Sequence, residues 1–279
     1  MINQDSGDTA HNIIHYTRVD DIPGLELFRG QSVTRSVSRH VHELFCLTIL
    51  DAGVRICENK KGRDYLTPGD IFISNCGEVH SGSVPEGHSY SCRSLRLDPT
   101  LLASLISDLG NSCSDSFDFE KPLLNDQKLF QKILLFHDTA FRQSFTLDNE
   151  YQLLDVFSHL YMHHTSKRID APQPGEETAP IKRVREYLQE CFAENVSIEK
   201  LSSIASLSPF YLCRVFEKEV GLPPHVYQLD IRLIKAAKML THGKKIADVA
   251  METGFFDQSH FHKAFQRKFG TTPKRYMQR

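Results

Sequence analysis

What the 279-residue chain lacks narrows its function first. No stretch approaches the unbroken apolar run that a membrane-spanning helix needs, so no membrane partner is expected. The seven cysteines, Cys46, Cys57, Cys76, Cys92, Cys113, Cys191 and Cys213, are odd in number and form no C-x-x-C pair. That argues against a disulfide framework and a zinc–cysteine cluster and fits a reduced, cytoplasmic protein. The first residues, Met1 to Asp8, are polar and acidic, and are expected to be neither a signal nor a transit peptide. There is no G-x-S-x-G and no Walker loop, so those enzyme classes find no support.

What is present is unevenly spread. The net charge of −2 conceals two halves of opposite sign. From Pro180 to Arg279 there are 17 Lys+Arg against 10 Asp+Glu, a balance of +7. The remaining 16 and 25 give the first 179 residues −9. A basic module on an acidic one suggests that only the C-terminal part seeks a polyanion.

Local patterning divides the chain further. Residues 1–98 hold short alternating runs broken by Gly, Pro and Asn, among them Leu44 to Leu50, Asp70 to Ile73 and Ser89 to Leu97. These read as strands of a β-sandwich or small barrel. Residues 99–168 switch to helical spacing, with three helices marked by Leu101 to Leu109, Leu129 to Phe136 and Tyr151 to Tyr161. Leu154, Phe157 and Tyr161 form an apolar stripe expected to support a homodimer. Residues 169–179 are polar, carry Pro and Gly, and read as a linker. Residues 180–279 read as helical throughout, so the fold class is α+β and multidomain.

The C-terminal part repeats itself. A shift of 49 places Leu212 on Phe261, Phe216 on Phe265, Gly221 on Gly270, Pro224 on Pro273 and Tyr227 on Tyr276. Upstream, a shift of 48 places Ile198 on Ile246 and Leu201 on Val249, so one residue is inserted between the blocks. Each copy reads as a short amphipathic helix, a tight turn and a second helix. Ser208 before Pro209, and Asp257, are expected N-caps. Gly221 and Gly270 sit where a left-handed C-cap is needed. Two helices joined by so short a turn make a helix-turn-helix unit. In the first copy Leu212, Val215 and Phe216 are the expected buried face, with Phe210, Cys213 and Arg214 elsewhere. In the second, Phe261, Ala264 and Phe265 are buried while Gln258, Ser259, His262 and Lys263 point outward. Between the copies, Pro224 to Leu240 reads as one helix of roughly 25 Å, against roughly 34 Å between successive major-groove turns.

Ile246-Ala247-Asp248-Val249-Ala250, Gly254-Phe255, Ser259-His260-Phe261, Phe265, Phe269-Gly270, Thr272-Pro273 and Tyr276 closely resemble the signature of the AraC/XylS family of bacterial regulators. The resemblance implies a seven-helix domain that binds two successive major grooves of double-stranded DNA. It also implies base-reading positions at Phe210, Cys213 and Arg214 in the first unit and Gln258, Ser259, His262 and Lys263 in the second. Cys213 and Phe210 bond base edges poorly, so part of the first helix is expected to read thymine methyls or shape.

In the N-terminal half, His40-Val41-His42-Glu43, Gly53, Pro68-Gly69-Asp70 and Asn75 to His80 resemble the two-motif pattern of a cupin barrel, similar to the sensory domain of arabinose-type regulators. The H-x-H pair with His80 raises a metal site, because two His one residue apart point the same way on a strand. Catalytic cupins carry a further Glu ligand a few residues on. Here Glu43 follows at once and faces away from His42, which counts against a metal. No metal or other cofactor is expected. His40, His42, His80, Tyr90, Arg93 and Arg96 are the candidates for holding a small-molecule effector in the barrel mouth.

Three functions follow. One is a regulator gated by a small molecule, acting with RNA polymerase. A second is a regulator whose barrel only dimerises or binds a protein. A third, a metal-dependent cupin enzyme, is disfavoured by the double repeat and the missing Glu.

Overall fold

The computed structural model describes residues 12–109, 122–141, 145–165 and 178–277. The chain divides into two compact units, one of residues 1–144 and 152–171, the other of 145–151 and 172–279. The linker expected at 169–179 lies outside the described residues except for 178 and 179, which begin a helix.

The first unit is built on β1 (Ile13–Arg18), β2 (Leu25–Val33), β3 (Val37–His40), β4 (Phe45–Gly53), β5 (Arg55–Asn59), β6 (Gly62–Leu66), β7 (Ile71–Ser74), β8 (His80–Ser83) and β9 (Tyr90–Leu97). Helix α1 (Pro99–Asp108), the short β10 (Leu123–Leu124) and α2 (Gln127–Phe141) follow, and of α3 (Thr146–His164) the part from Gln152 on belongs to this unit. Asp98 ends the strand region by capping α1, its carboxylate accepting from the Leu101 amide at 2.8 Å.

Two antiparallel sheets result, ordered β1-β2-β9-β4-β7-β10 and β3-β8-β5-β6. Register assigns the faces. Leu27, Leu95, Leu47 and Ile73 form one row across the larger sheet, and Phe28, Ser94, Thr48 and Phe72 the adjacent row. Successive residues on a strand point to opposite sides, so the rows lie on opposite faces. The leucine face packs towards the helices, where Phe45 meets Phe157 with ring centroids 5.9 Å apart. The other face looks towards the smaller sheet. Both faces of β4 are thus covered, and Phe45 to Leu50 are all buried, which is why that stretch reads as an unbroken apolar run. At one end the gap between the sheets is filled by Val33, Leu50, Cys57, Leu66, Phe72, Tyr90 and Cys92.

Leu154, Phe157 and Tyr161 are buried within this unit. The stripe expected to pair with a second copy is therefore spent on the monomer core. Exposed apolar side chains on these helices include Leu135 on α2, at 61% exposure, and Met162 on α3, at 43%.

In the second unit seven helices are described: α4 (Thr178–Glu190), α5 (Ile198–Ala205), α6 (Pro209–Val220), α7 (Pro224–Thr241), α8 (Ile246–Glu252), α9 (Gln258–Phe269) and α10 (Pro273–Tyr276). Leu201, Ala205, Leu212, Val215 and Phe216 are buried in the first copy. Leu233, Ala236, Ala237 and Leu240 of α7 pack with Val249, Ala250, Phe255, Phe261, Ala264 and Phe265 in the second. No helix of the described residues is long and apolar enough to cross a membrane.

Candidate nucleic-acid interface and ligand cavity

Both second helices begin and end alike. The Ser208 hydroxyl accepts from the Tyr211 amide at the start of α6, with Pro209 at the first helical position. The Asp257 carboxylate accepts from the His260 amide at 2.7 Å at the start of α9. Gly221 and Gly270 close them at φ +80° and +69°, left-handed positions that favour glycine. The turns also correspond. Ser206 and Gly254, related by the shift of 48, both take positive φ, +57° and +77°. The inserted residue of the second copy then lies between Gly254 and the cap Asp257.

The faces differ. Gln258, Ser259 and Lys263 are exposed on α9 and His262 is half-buried. On α6, Phe210 is only 7% exposed and Cys213 5%. These two were expected to face a duplex. They lie three residues apart and join Phe216, three further on, so they widen the apolar stripe of α6 into the core. Arg214 remains half-exposed, its guanidinium 5.3 Å from the centre of the Phe210 ring. Phe210 thus acts as a platform for the Arg214 side chain beside it. One exposed residue was missed by the pattern: Phe256, at 78%, in the turn of the second copy. It is absent from any helical stripe, and its signal was the one-residue insertion itself.

A buried cation ties the unit together. Arg232 on α7 is 1% exposed. It donates to the carbonyls of Phe192 at 2.7 Å and Glu194 at 2.8 Å, both in the turn after α4, and to Gly254 at 3.0 Å in the turn of the second copy. Gln228, one turn earlier, donates to the same Phe192 and Glu194 carbonyls. Burial pulls the Arg232 pKa down to about 10, which leaves it charged at neutral pH. A planar fork with several donors suits three acceptors at once. Gly254 has no room for a side chain, since a Cβ there would lie 2.2 Å from the Ala193 carbonyl oxygen.

In the first unit, a cavity of about 190 Å³ opens between the two sheets. Its lining includes His40, His42, His80 and Arg96, as the sequence suggested, together with Tyr16, Cys46, Thr48, Arg55, Ser74 and Ser94. Among the described residues no Asp or Glu lines it. Burial lowers the pKa of His42 and of His80, and the neighbouring His and Arg charges add to it. Arg55 has a buried Nε with no hydrogen-bond partner among the described residues. Arg96 reaches Glu26 at 3.6 Å and lies over the Tyr16 ring.

Tyr90 and Arg93 are not part of this lining. Tyr90 belongs to the apolar plug at the far end. Arg93 is an odd-numbered residue of β9 and points to the helical side, where it binds Asp51 at 2.9 Å and also Asp138. Arg55 was missed because a single arginine opening a short strand carries no motif. Thr48, Ser74 and Ser94 were legible in principle, as polar residues inside otherwise apolar strands.

Comparison with known proteins agrees with both halves. Residues 22–157 match the model of an AraC-like ligand binding domain, and residues 201–279 that of a helix-turn-helix domain. The probable transcriptional regulator LumQ of Photobacterium leiognathi is 33% identical over 250 residues, covering 89% of this chain and 95% of its own. The HTH-type transcriptional regulator YbfI of Bacillus subtilis is 28% identical over 238 residues, 85% of each chain. The HTH-type transcriptional activator RhaS of an Enterobacter species is 36% identical over 101 residues, 36% of each.

Proposed function

The chain belongs to the AraC/XylS family of transcription regulators, and from that premise we propose that it reads DNA with α6 and α9 and answers to a small anionic molecule in its barrel. It is a DNA-binding regulator. The finer reading gives base contacts to Arg214 in the first unit and to Gln258, Ser259, His262 and Lys263 in the second. Phe210 and Cys213 support α6 from within. RNA polymerase is the further partner, and a homodimer would use the outer face of α2 around Leu135. The chemistry is regulatory and not enzymatic.

The observation that carries the effector class is the cavity wall. Arg55 and Arg96 line it, Thr48, Ser74 and Ser94 add hydroxyls, and among the described residues no carboxylate lines it. A buried guanidinium with an unpaired Nε favours a carboxylate or phosphate ligand, which it can grip with parallel hydrogen bonds. His40, His42 and His80 complete the polar rim.

Thermal denaturation of the full chain against small carboxylates, phosphates, amines and neutral sugars tests this. An anion at about a hundred times its dissociation constant adds about 2.7 kcal/mol of stability, and Arg55→Gln removes the effect. Stabilisation by neutral sugars or amines alone would overturn the anionic reading. DNA binding by the same protein falls by on the order of 10³–10⁵ between 50 and 200 mM salt if roughly 6–10 phosphates are touched.

A further inference from the structure

Away from the cavity, imidazoles also gather where α2 and α3 meet in the first unit. Asp126 directly precedes α2 and caps it. Its Oδ1 accepts from the Lys128 amide at 2.9 Å and from the Leu129 amide at 3.0 Å. A cap needs only one carboxylate oxygen. The other, Oδ2, receives two imidazoles, His159 Nε2 at 2.9 Å and His164 Nε2 at 2.8 Å. Both histidines stand in the last two turns of α3, in the part that belongs to the first unit. Further along the same pair of helices, Lys132 of α2 binds Asp155 of α3, so the helices are joined there without the histidines.

The three side chains are half-buried, and one donor atom from each lies within 4.8 Å of the other two. A carboxylate only accepts, so each Nε2 aimed at Asp126 carries a proton. When both rings are charged, two imidazolium groups crowd one carboxylate and repel each other. A single divalent cation removes that conflict. It draws on both Nε2 lone pairs and on Oδ2 together, and one ion takes the place of two protons. The two backbone amides on Oδ1 supply the outer-shell hydrogen bonds that fix the aim of a ligating carboxylate.

We propose that Asp126, His159 and His164 bind a divalent transition metal ion, through Oδ2 and the two Nε2 atoms, and so pin the start of α2 to the end of α3. Two imidazoles and a carboxylate suit zinc, with water in the fourth position. Zinc bonds of about 2.0–2.2 Å to nitrogen and oxygen set the donor atoms roughly 3.3 Å apart in tetrahedral geometry. The Nε2–Oδ2 separations of 2.9 and 2.8 Å therefore open by roughly half an ångström, which small rotations of the three side chains supply. On binding, each Nε2 gives up its proton, to Nδ1 of its own ring when that ring is neutral and to solvent when it is charged. Oδ1 keeps its place as the cap of α2 throughout. None of the three residues lines the cavity between the sheets, so the site does not rest on the anionic-effector reading.

The test uses the full chain without an affinity tag, stripped with a chelator and dialysed to equilibrium against Zn²⁺. Zinc held elsewhere in the chain, at the cavity histidines included, is common to every variant, so the result is read as a difference. His159→Gln, His164→Gln and Asp126→Asn are each expected to bind one equivalent less than the wild type. Asn is as good an N-cap as Asp, so Asp126→Asn keeps its helix content by circular dichroism, and its lost equivalent is not a loss of fold. Zn²⁺ raises the melting temperature of the wild type more than that of Asp126→Asn. His163 is exposed, its ring 4.5 Å from that of His159, and lies outside the donor set. His163→Ala is expected to bind as the wild type does. Equal zinc in the wild type and all three variants overturns the proposal. So does a loss in His163→Ala that Asp126→Asn does not share, which would mean adventitious capture by the exposed end of α3.

Discussion

Position by position, α6 and α9 carry different side chains on the same scaffold. Pro209 stands where Gln258 does, Phe210 where Ser259 does, Cys213 where His262 does and Arg214 where Lys263 does. Both helices start on a side-chain cap and stop on a left-handed glycine. In α6 two of the four positions turn into the core, leaving Arg214 as the one charged side chain of the four at the surface. In α9 three are exposed and the fourth is half-buried. The duplicated scaffold fixes where a helix is presented, and on the proposed reading the residues that differ decide how much sequence it reads. The first unit is expected to contribute a narrow contact, and the second a broad one.

The largest effect is expected where both copies depend on one residue. Arg232→Met leaves the Gly254 carbonyl without its side-chain donor and the Phe192 and Glu194 carbonyls with Gln228 alone, at a cost on the order of 3 kcal/mol. Urea unfolding followed by circular dichroism measures it. Affinity for both halves of an operator should fall together. Loss confined to one half would show that α7 is not the shared frame.

The turns sharpen the comparison next. Gly254→Ala places a Cβ against the Ala193 carbonyl at positive φ and should destabilise by about 2 kcal/mol or more. The equivalent Ser206→Gly relieves a left-handed serine and should leave stability unchanged or raise it by up to about 1 kcal/mol. Equal responses in thermal melts would contradict the difference between the turns.

The readers come third. Arg214→Ala and Gln258→Ala should each cost roughly 1–3 kcal/mol of DNA binding, on opposite halves of the site about one helical turn apart. Cys213→Ser should alter stability and leave base preference alone. A changed base preference in Cys213→Ser would mean that α6 turns a wider face to the duplex. The smallest effect concerns the inserted residue. Phe256→Ser should leave stability within about 0.5 kcal/mol while weakening DNA binding a few-fold. Unchanged binding in competition assays would remove Phe256 from the interface.

The duplication was legible because Gly, Pro and Phe recur at one spacing and each has a backbone or core reason to be there. The caps Ser208 and Asp257 followed from local chemistry and stand where local chemistry put them. The burial of Phe210 and Cys213 was hidden, because a stripe at helical spacing does not declare its width. In the barrel, the three histidines were visible as H-x-H plus one. Tyr90 and Arg93 were misassigned because β9 is covered on both faces, so alternation of hydrophobicity no longer marks inside from outside. Irregular register between Gly30 and Val33, and between Leu50 and Ala52, further breaks any count of alternate residues.

Selection of bound sequences from a random duplex pool by the full chain addresses the central claim most directly. Two preferred blocks should emerge, roughly ten base pairs apart from centre to centre. The block lost in Gln258→Ala should be longer and more constrained than the block lost in Arg214→Ala. A single block, or two blocks that respond alike to both substitutions, would contradict a bipartite readout by one narrow and one broad helix.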